Sequence, residues 1–111
     1  MTRTEILAHD PKLAELVRRL VDAYSPARLY LFGSRGRGQE TPESDYDLLM
    51  VFDTLDGPAY RVAQKAHSLV WGLGISADIL VWSRDAFDGR LGFKASLPAS
   101  VVRDGVLLHA A

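Results

Sequence analysis

The chain has no cysteine among its 111 residues. That excludes disulfides and any metal site built on thiolates. No apolar stretch is long enough to cross a bilayer as a helix. The first residues, Met1-Thr2-Arg3-Thr4-Glu5, lack the apolar segment of a secretion signal. These absences lead us to expect a cytoplasmic protein without membrane association. Neither sign of charge is in excess. The formal net charge is -1, so composition argues for neither nucleic acid nor an anionic membrane as a partner. The chain holds no internal repeat, no GxxxxGK[ST] phosphate loop and no GxSxG nucleophile elbow. Its three histidines, His9, His67 and His109, are too scattered for a metal-ligand spacing and are expected to be structural or exposed. What remains is an ordinary globular composition, 48% hydrophobic and 24% charged. One domain over residues 1–111 is expected, with space for a nucleotide and metal ions but little for a second substrate domain.

Against that plain background one pattern stands out. Gly33-Ser34 is followed, after a polar and glycine-rich stretch, by Asp45-Tyr46-Asp47. Residues i and i+2 of a strand project from the same face, so Asp45 and Asp47 stand side by side, close enough to share a divalent cation. Gly33 follows an apolar run, Leu29 to Phe32, and Asp47 leads into another, Leu48 to Phe52. A third acid, Asp78, opens a third run, Ile79 to Trp82. Two aspartates beside a phosphate-sized turn suit metal-assisted phosphoryl or nucleotidyl transfer.

The coarse organisation follows from periodicity and turn chemistry. Asp10 and Pro11 read as an N-cap and first-turn proline. Leu13, Leu16, Val17, Leu20, Val21 and Tyr24 then recur at helical spacing until Ser25-Pro26. Strands are expected over residues 28–32, 45–52, 76–82 and, at a sheet edge, 106–108. Residues 33–44 form a connector with a short helical turn, Pro58 to about Trp71 a second helix, and short helices cover 84–87 and 98–103. The order implies an α/β or α+β domain, a small sheet covered by helices. A helix between the second and third strands favours a parallel crossover if the two are adjacent. Leu31, Leu49 and Ile79 belong to the core, as do Tyr46, Trp71 and Trp82.

Each candidate residue has a chemical reason. Gly33 lets backbone approach phosphate without a side chain in the way. Ser34 offers a hydroxyl and an N–H to phosphate oxygens. A Gly-Ser pair alone is commonly just a capped turn; the acid pair nearby changes that reading. Arg35 and Arg37, alternating with Gly36 and Gly38, can clamp a triphosphate and offset charge on leaving pyrophosphate. Asp45 and Asp47 are candidate magnesium ligands. Asp78 completes a three-acid set if its strand neighbours theirs, and then either binds a second metal or deprotonates an attacking hydroxyl.

These residues, Gly33 to Gly38, Ser44 to Leu49 and Ala77 to Val81, resemble the minimal nucleotidyltransferase (MNT) family of the DNA polymerase β-like superfamily. The family pattern is Gly-Ser, a spacer, Asp-x-Asp and a later third aspartate, and the segment Arg103 to Leu108 is similar to the end of such domains. The resemblance implies a mixed-sheet nucleotidyltransferase core and transfer of a nucleoside monophosphate from Mg-ATP to an acceptor hydroxyl. It assigns Asp45 and Asp47 to a pair of magnesium ions and Asp78 to nucleophile activation. It assigns Gly33 and Ser34 to the phosphates, with Arg37 better placed there than Arg35. Stand-alone MNT proteins are often antitoxins that adenylylate a tyrosine of a HEPN-domain toxin, which implies a hetero-oligomer with such a partner. This chain has no RxxxxHxY-type toxin signature, so it resembles the antitoxin side. Two other readings stay open: an antitoxin that neutralises by binding alone, and a transferase acting on an aminoglycoside-like small molecule.

Overall fold

The computed structural model describes residues 2–111. The chain begins with α1 (Arg3–His9), nucleated by a capping box. The Glu5 amide donates to the Thr2 hydroxyl at 3.2 Å, and the Thr2 amide donates to the Glu5 carboxylate at 3.3 Å. The sequence pattern leads to no helix here, because α1 spans seven residues and sets only Ile6 and Leu7, partly buried, against the core. Asp10 then caps α2 (Pro11–Tyr24), accepting from the Leu13 amide at 3.1 Å, with Pro11 in the first turn. Leu13, Leu16, Val17 and Leu20 form its buried stripe, each contributing roughly 1.5–3 kcal/mol of apolar burial before entropy is subtracted. Ser25 ends it in the left-handed conformation, φ 45°.

Four strands make one mixed sheet: β1 (Arg28–Phe32), β2 (Tyr46–Phe52), β3 (Ala77–Ser83) and β4 (Val106–Ala110), in the order β3-β2-β1-β4. β1 runs antiparallel to β2 and to β4, and β2 runs parallel to β3. The parallel pair is joined through α4 (Ala59–His67) and a following turn of 3₁₀ helix, Ser68–Val70. The expected single helix from Pro58 to Trp71 is therefore shorter and tightens at its end. α3 (Gly33–Gly36) is a single turn immediately after β1. α5 (Arg84–Asp88) is capped by Ser83, and α6 (Leu97–Asp104) by Ser96.

Strand alternation divides the core into two layers. On one face Leu29, Leu31, Leu48, Met50 and Ile79 pack beneath α2 and α4. On the other, Tyr30, Leu49 and Val51 meet Phe87 of α5 and Val101 of α6. Phe87 stacks on Tyr30 with ring centroids 5.5 Å apart and receives Trp82 edge-on at 6.4 Å. Trp71, expected in the core, is 86% exposed instead. It follows the 3₁₀ turn at a point where the chain has already left the helix, and its carbonyl, not its ring, is held by Arg19 at 3.1 Å.

The topology fixes where chemistry can occur. The end of β1 and the beginnings of β2, β3 and β4 all lie at one end of the sheet. Two glycines let the chain crowd there. A Cβ on Gly36 would sit 2.7 Å from the Leu31 carbonyl oxygen and 3.4 Å from the Gly105 Cα. One on Gly105 would approach the same carbonyl to 2.7 Å. Only bare backbone lets α3 and the end of α6 both close on the last residues of β1.

Candidate active site

Phe32, the last residue of β1, pairs with Asp47, and Asp47 pairs with Asp78 across the parallel ladder. Neighbouring strands lie about 4.8 Å apart, so the two carboxylates project side by side from one face. Asp45, immediately before β2, is the residue two positions upstream of Asp47. It was expected inside the strand, which begins instead at Tyr46. Asp45 and Asp78 are exposed and Asp47 is half-buried.

Gly33 lies against Asp47. Its φ is +68°, and a Cβ there would come within 2.1 Å of Asp47 Oδ2. The glycine is thus required twice, for its left-handed conformation and for the space taken by the carboxylate. It opens α3, whose first N–H groups have no intrahelical acceptor. Ser34 sits in that turn and accepts from the Gln39 amide through its carbonyl at 2.8 Å, leaving its hydroxyl free to donate.

The electrostatics are those of crowded like charges. Partial burial, then Asp78 and Asp45 as neighbours, pushes the Asp47 carboxyl above its ordinary range, and Arg37 opposes this. Arg37 is thus near enough for its charge to be felt at Asp47, although it lines a second pocket, beside Asp10 and Tyr46, rather than the cleft that holds the acids. It is exposed, and among the described residues its guanidinium bonds through Nε alone, donating to Gln39 at 3.1 Å.

Arg35 is placed differently. Its Nε donates to the Ser44 carbonyl at 3.0 Å, and its guanidinium lies 3.9 Å over the Tyr46 ring. The Tyr46 hydroxyl donates to Asp10 at 2.5 Å, and Asp10 also caps α2. Arg35, Tyr46 and Asp10 form a strut from the glycine turn, through the residue between the two aspartates, to the start of α2. Tyr46 faces away from the acids, as alternation requires, and is buried as expected.

One contributor escaped sequence reading. An open cleft of about 450 Å³ is lined by Phe32, Asp47 and Asp78 together with Ala63, Gln64 and His67 of α4 and Ile79 and Leu80 of β3. Nothing in the spacing of His67 signals this, because α4 returns to the acid end of the sheet only through the parallel crossover. His9 and His109 do not line it.

Among the described residues, no three acidic or imidazole side chains are gathered closely enough to hold a metal ion. The donor chemistry still fits magnesium: all-oxygen ligands, two of them in register, beside a turn open to phosphate.

Comparisons with known proteins bear on the family and the fold. The family model for the nucleotidyltransferase domain matches residues 12–102. A curated protein of Methanocaldococcus jannaschii, named "Putative protein adenylyltransferase MJ1379", is 36% identical over 74 residues, which covers 62% of this chain and 74% of that one. A nucleotidyltransferase-like crystal structure from Sulfolobus solfataricus superposes with a TM-score of 0.61 over 96% of this chain and 86% of its own; at 24% identity it speaks for the fold. A crystal structure of a toxin–antitoxin with AMP-PNP matches at 27% identity and a TM-score of 0.53, over 91% of this chain and 73% of that one. A family model that spans most of the chain settles the family: this chain is a member of the nucleotidyltransferase domain family and a nucleotidyltransferase.

Proposed function

We propose that this chain moves AMP from ATP to a hydroxyl of a partner protein, a tyrosine of a HEPN-domain toxin, and acts as the antitoxin of that pair in the cytoplasm. The observation that carries the reading is the in-register pair Asp47–Asp78 set against Gly33. The name of the Methanocaldococcus relative supports transfer of adenylate to protein. The toxin–antitoxin structure, which holds an ATP analogue, supports both the nucleotide and the partner.

In this reading Gly33 and Ser34 hold the phosphates, the first by allowing close approach and the second through its hydroxyl and amide. Arg37 lies against the leaving pyrophosphate, where its charge offsets what develops as the bond breaks. Arg35 serves the same turn from behind, fixing the connector and Tyr46. Asp45, Asp47 and Asp78 would hold a pair of magnesium ions. Bound there, the metal would polarise the phosphate oxygens and lower the barrier to attack. Asp78 takes the proton of the acceptor hydroxyl. The acceptor oxygen forms a bond to the α-phosphorus, and the bond from that phosphorus to the bridging oxygen breaks to release pyrophosphate.

The test is transfer of label from α-labelled ATP, with magnesium, to the protein encoded by the neighbouring reading frame. Wild type is compared with Asp45→Asn/Asp47→Asn. Label that appears on the neighbour and disappears in the double variant supports the reading. A tight complex with no label would replace it with neutralisation by binding alone.

A further inference from the structure

β3 is an edge of the sheet. Exposed edges are usually short, covered, or guarded by lysine, proline or a bulge. β3 is neither short nor guarded by lysine or proline. It runs seven residues, Ala-Asp-Ile-Leu-Val-Trp-Ser, with Asp78 as its sole charge. The Tyr46 amide donates to the Ser76 carbonyl at 2.9 Å, and Tyr46 pairs with Ala77. Alternate residues of a parallel strand turn both main-chain groups to the same neighbour. Asp78 and Leu80 therefore bond toward β2, and Ile79 and Val81 present their N–H and C=O groups outward. Among the described residues, no main-chain hydrogen bond reaches that outer row.

The same edge borders the cleft. The cleft wraps round that edge: Asp78 and Leu80 line it from the sheet face that carries Asp47, and Ile79 with Ala63, Gln64 and His67 of α4 line it from the opposite face. Leu80 is 37% exposed there, an apolar side chain one pleat along from a catalytic acid.

We propose that an extended segment of the acceptor protein docks along the outer edge of β3 as a fifth strand. The residue it sets opposite Asp78 then projects on the acid-bearing face and is the one modified. A residue two positions away covers Leu80 and is apolar. The occupant is a polypeptide because the outer row asks for main-chain donors and acceptors at strand spacing, which a small-molecule acceptor does not offer. This inference rests on the transfer reading above and specifies how its substrate is held.

The experiment is residue-resolved amide hydrogen exchange on the full chain, free and with the neighbouring-frame protein, alongside the label-transfer assay. The Ile79 and Val81 amides exchange quickly in the free protein and slow by about tenfold or more in the complex, whereas the inward Leu80 amide is slow in both. In the cysteine-free chain, Leu80→Cys supplies a single thiol, and it forms a disulfide with a cysteine placed two residues from the modified position of the partner. A complex that forms with the Ile79 and Val81 amides unchanged overturns edge docking. Label transfer in that case leaves adenylylation standing, and protection without transfer does the reverse. Protection that grows with protein concentration in the absence of the partner assigns the edge to a second copy and also overturns the proposal, as does the failure of any complex to form.

Discussion

Replacing Gly33 by alanine separates two consequences of one glycine. An L-residue in the left-handed region costs about 1–2 kcal/mol, and loss of glycine's freedom in the unfolded chain returns about 0.4–1 kcal/mol. Gly33, at φ +68°, and Gly72, at φ +83°, bear similar backbone costs. They differ in what a methyl group meets. At Gly72 nothing lies within 4 Å, whereas at Gly33 the added carbon falls 2.1 Å from Asp47 Oδ2. The backbone of β2 is fixed by pairing on both sides, so relief comes from swinging the Asp47 carboxylate away. Both variants should therefore lose about 1 kcal/mol, a fall in melting midpoint of roughly 4–6 °C for a domain of this size. Gly72→Ala should keep its turnover. Gly33→Ala should lose about a hundredfold in kcat, the scale expected when a reacting constellation shifts by an ångström. Thermal unfolding followed by circular dichroism and label transfer at saturating ATP measure the two quantities. Wild-type turnover in Gly33→Ala, at a temperature where it is folded, would refute the claim that this contact positions Asp47 for chemistry.

Further outcomes follow from the same structure. Because burial and its acidic neighbours raise the Asp47 carboxyl, ionisation there opposes folding: that contribution is favourable below the ordinary carboxylate range and is lost as pH rises through the raised value. Asp47→Asn should then stabilise the metal-free protein at pH 7, by up to about 1 kcal/mol given solvent screening, and the gain should vanish in acid denaturation curves below pH 4; a destabilised variant at pH 7 contradicts this. The Tyr46 hydroxyl, pushed up to about 12 by burial and Asp10, favours folding below pH 10, and that stability is lost as pH rises through 12. Tyr46→Phe should cost about 1–2 kcal/mol in urea titrations at pH 7 and flatten the alkaline loss of stability. Phe87→Ala should cost about 3–4 kcal/mol by removing the side chain on which Tyr30 and Trp82 pack, and a loss under 1 kcal/mol would mean that α5 is not anchored this way.

Much of the fold was readable because the signals were local. Each strand is an apolar run bounded by Gly, Pro, Ser or Asp, and β1 appears at the expected residues. α2 announces itself through Asp10, Pro11 and its stripe. What stayed hidden depended on long-range pairing. The edge position of β3 and the arrival of α4 at the acid end required the strand order. α1 carried a capping signal, Thr2 and Glu5, but no stripe to give it weight. Trp71 misled because its size argues for burial, whereas its place just past a tightening helix end leaves it in solvent. At the candidate site, spacing along the chain picked out Gly33 and Asp47, which the fold sets against each other, and Asp78, which pairs with Asp47. It could not distinguish Arg35 from Arg37, which sit in the same glycine-rich run and are held differently. One braces the connector through Ser44 and Tyr46, and the other is exposed and bonds to Gln39.

The placement of charge explains why the acids tolerate one another in a small domain. A half-buried carboxylate flanked by two others is unfavourable, and the fold does not neutralise it from within. The ion pairs that the structure does form lie elsewhere, as between Arg28 and Asp88 at 2.9 Å. The stabilising strut of Arg35, Tyr46 and Asp10 lies on the far face of the same strand. Core packing through Leu48, Leu49, Met50 and Val51 holds β2 in place whatever happens at its entrance. Negative charge is thus concentrated at one end of a strand held in place for other reasons, next to the glycine turn at Gly33. Divalent cations should accordingly stabilise the chain by RT ln(1 + [L]/Kd), and the increment should disappear in Asp45→Asn/Asp47→Asn. Equal stabilisation of that variant by magnesium would place the ion somewhere other than the entrance to β2.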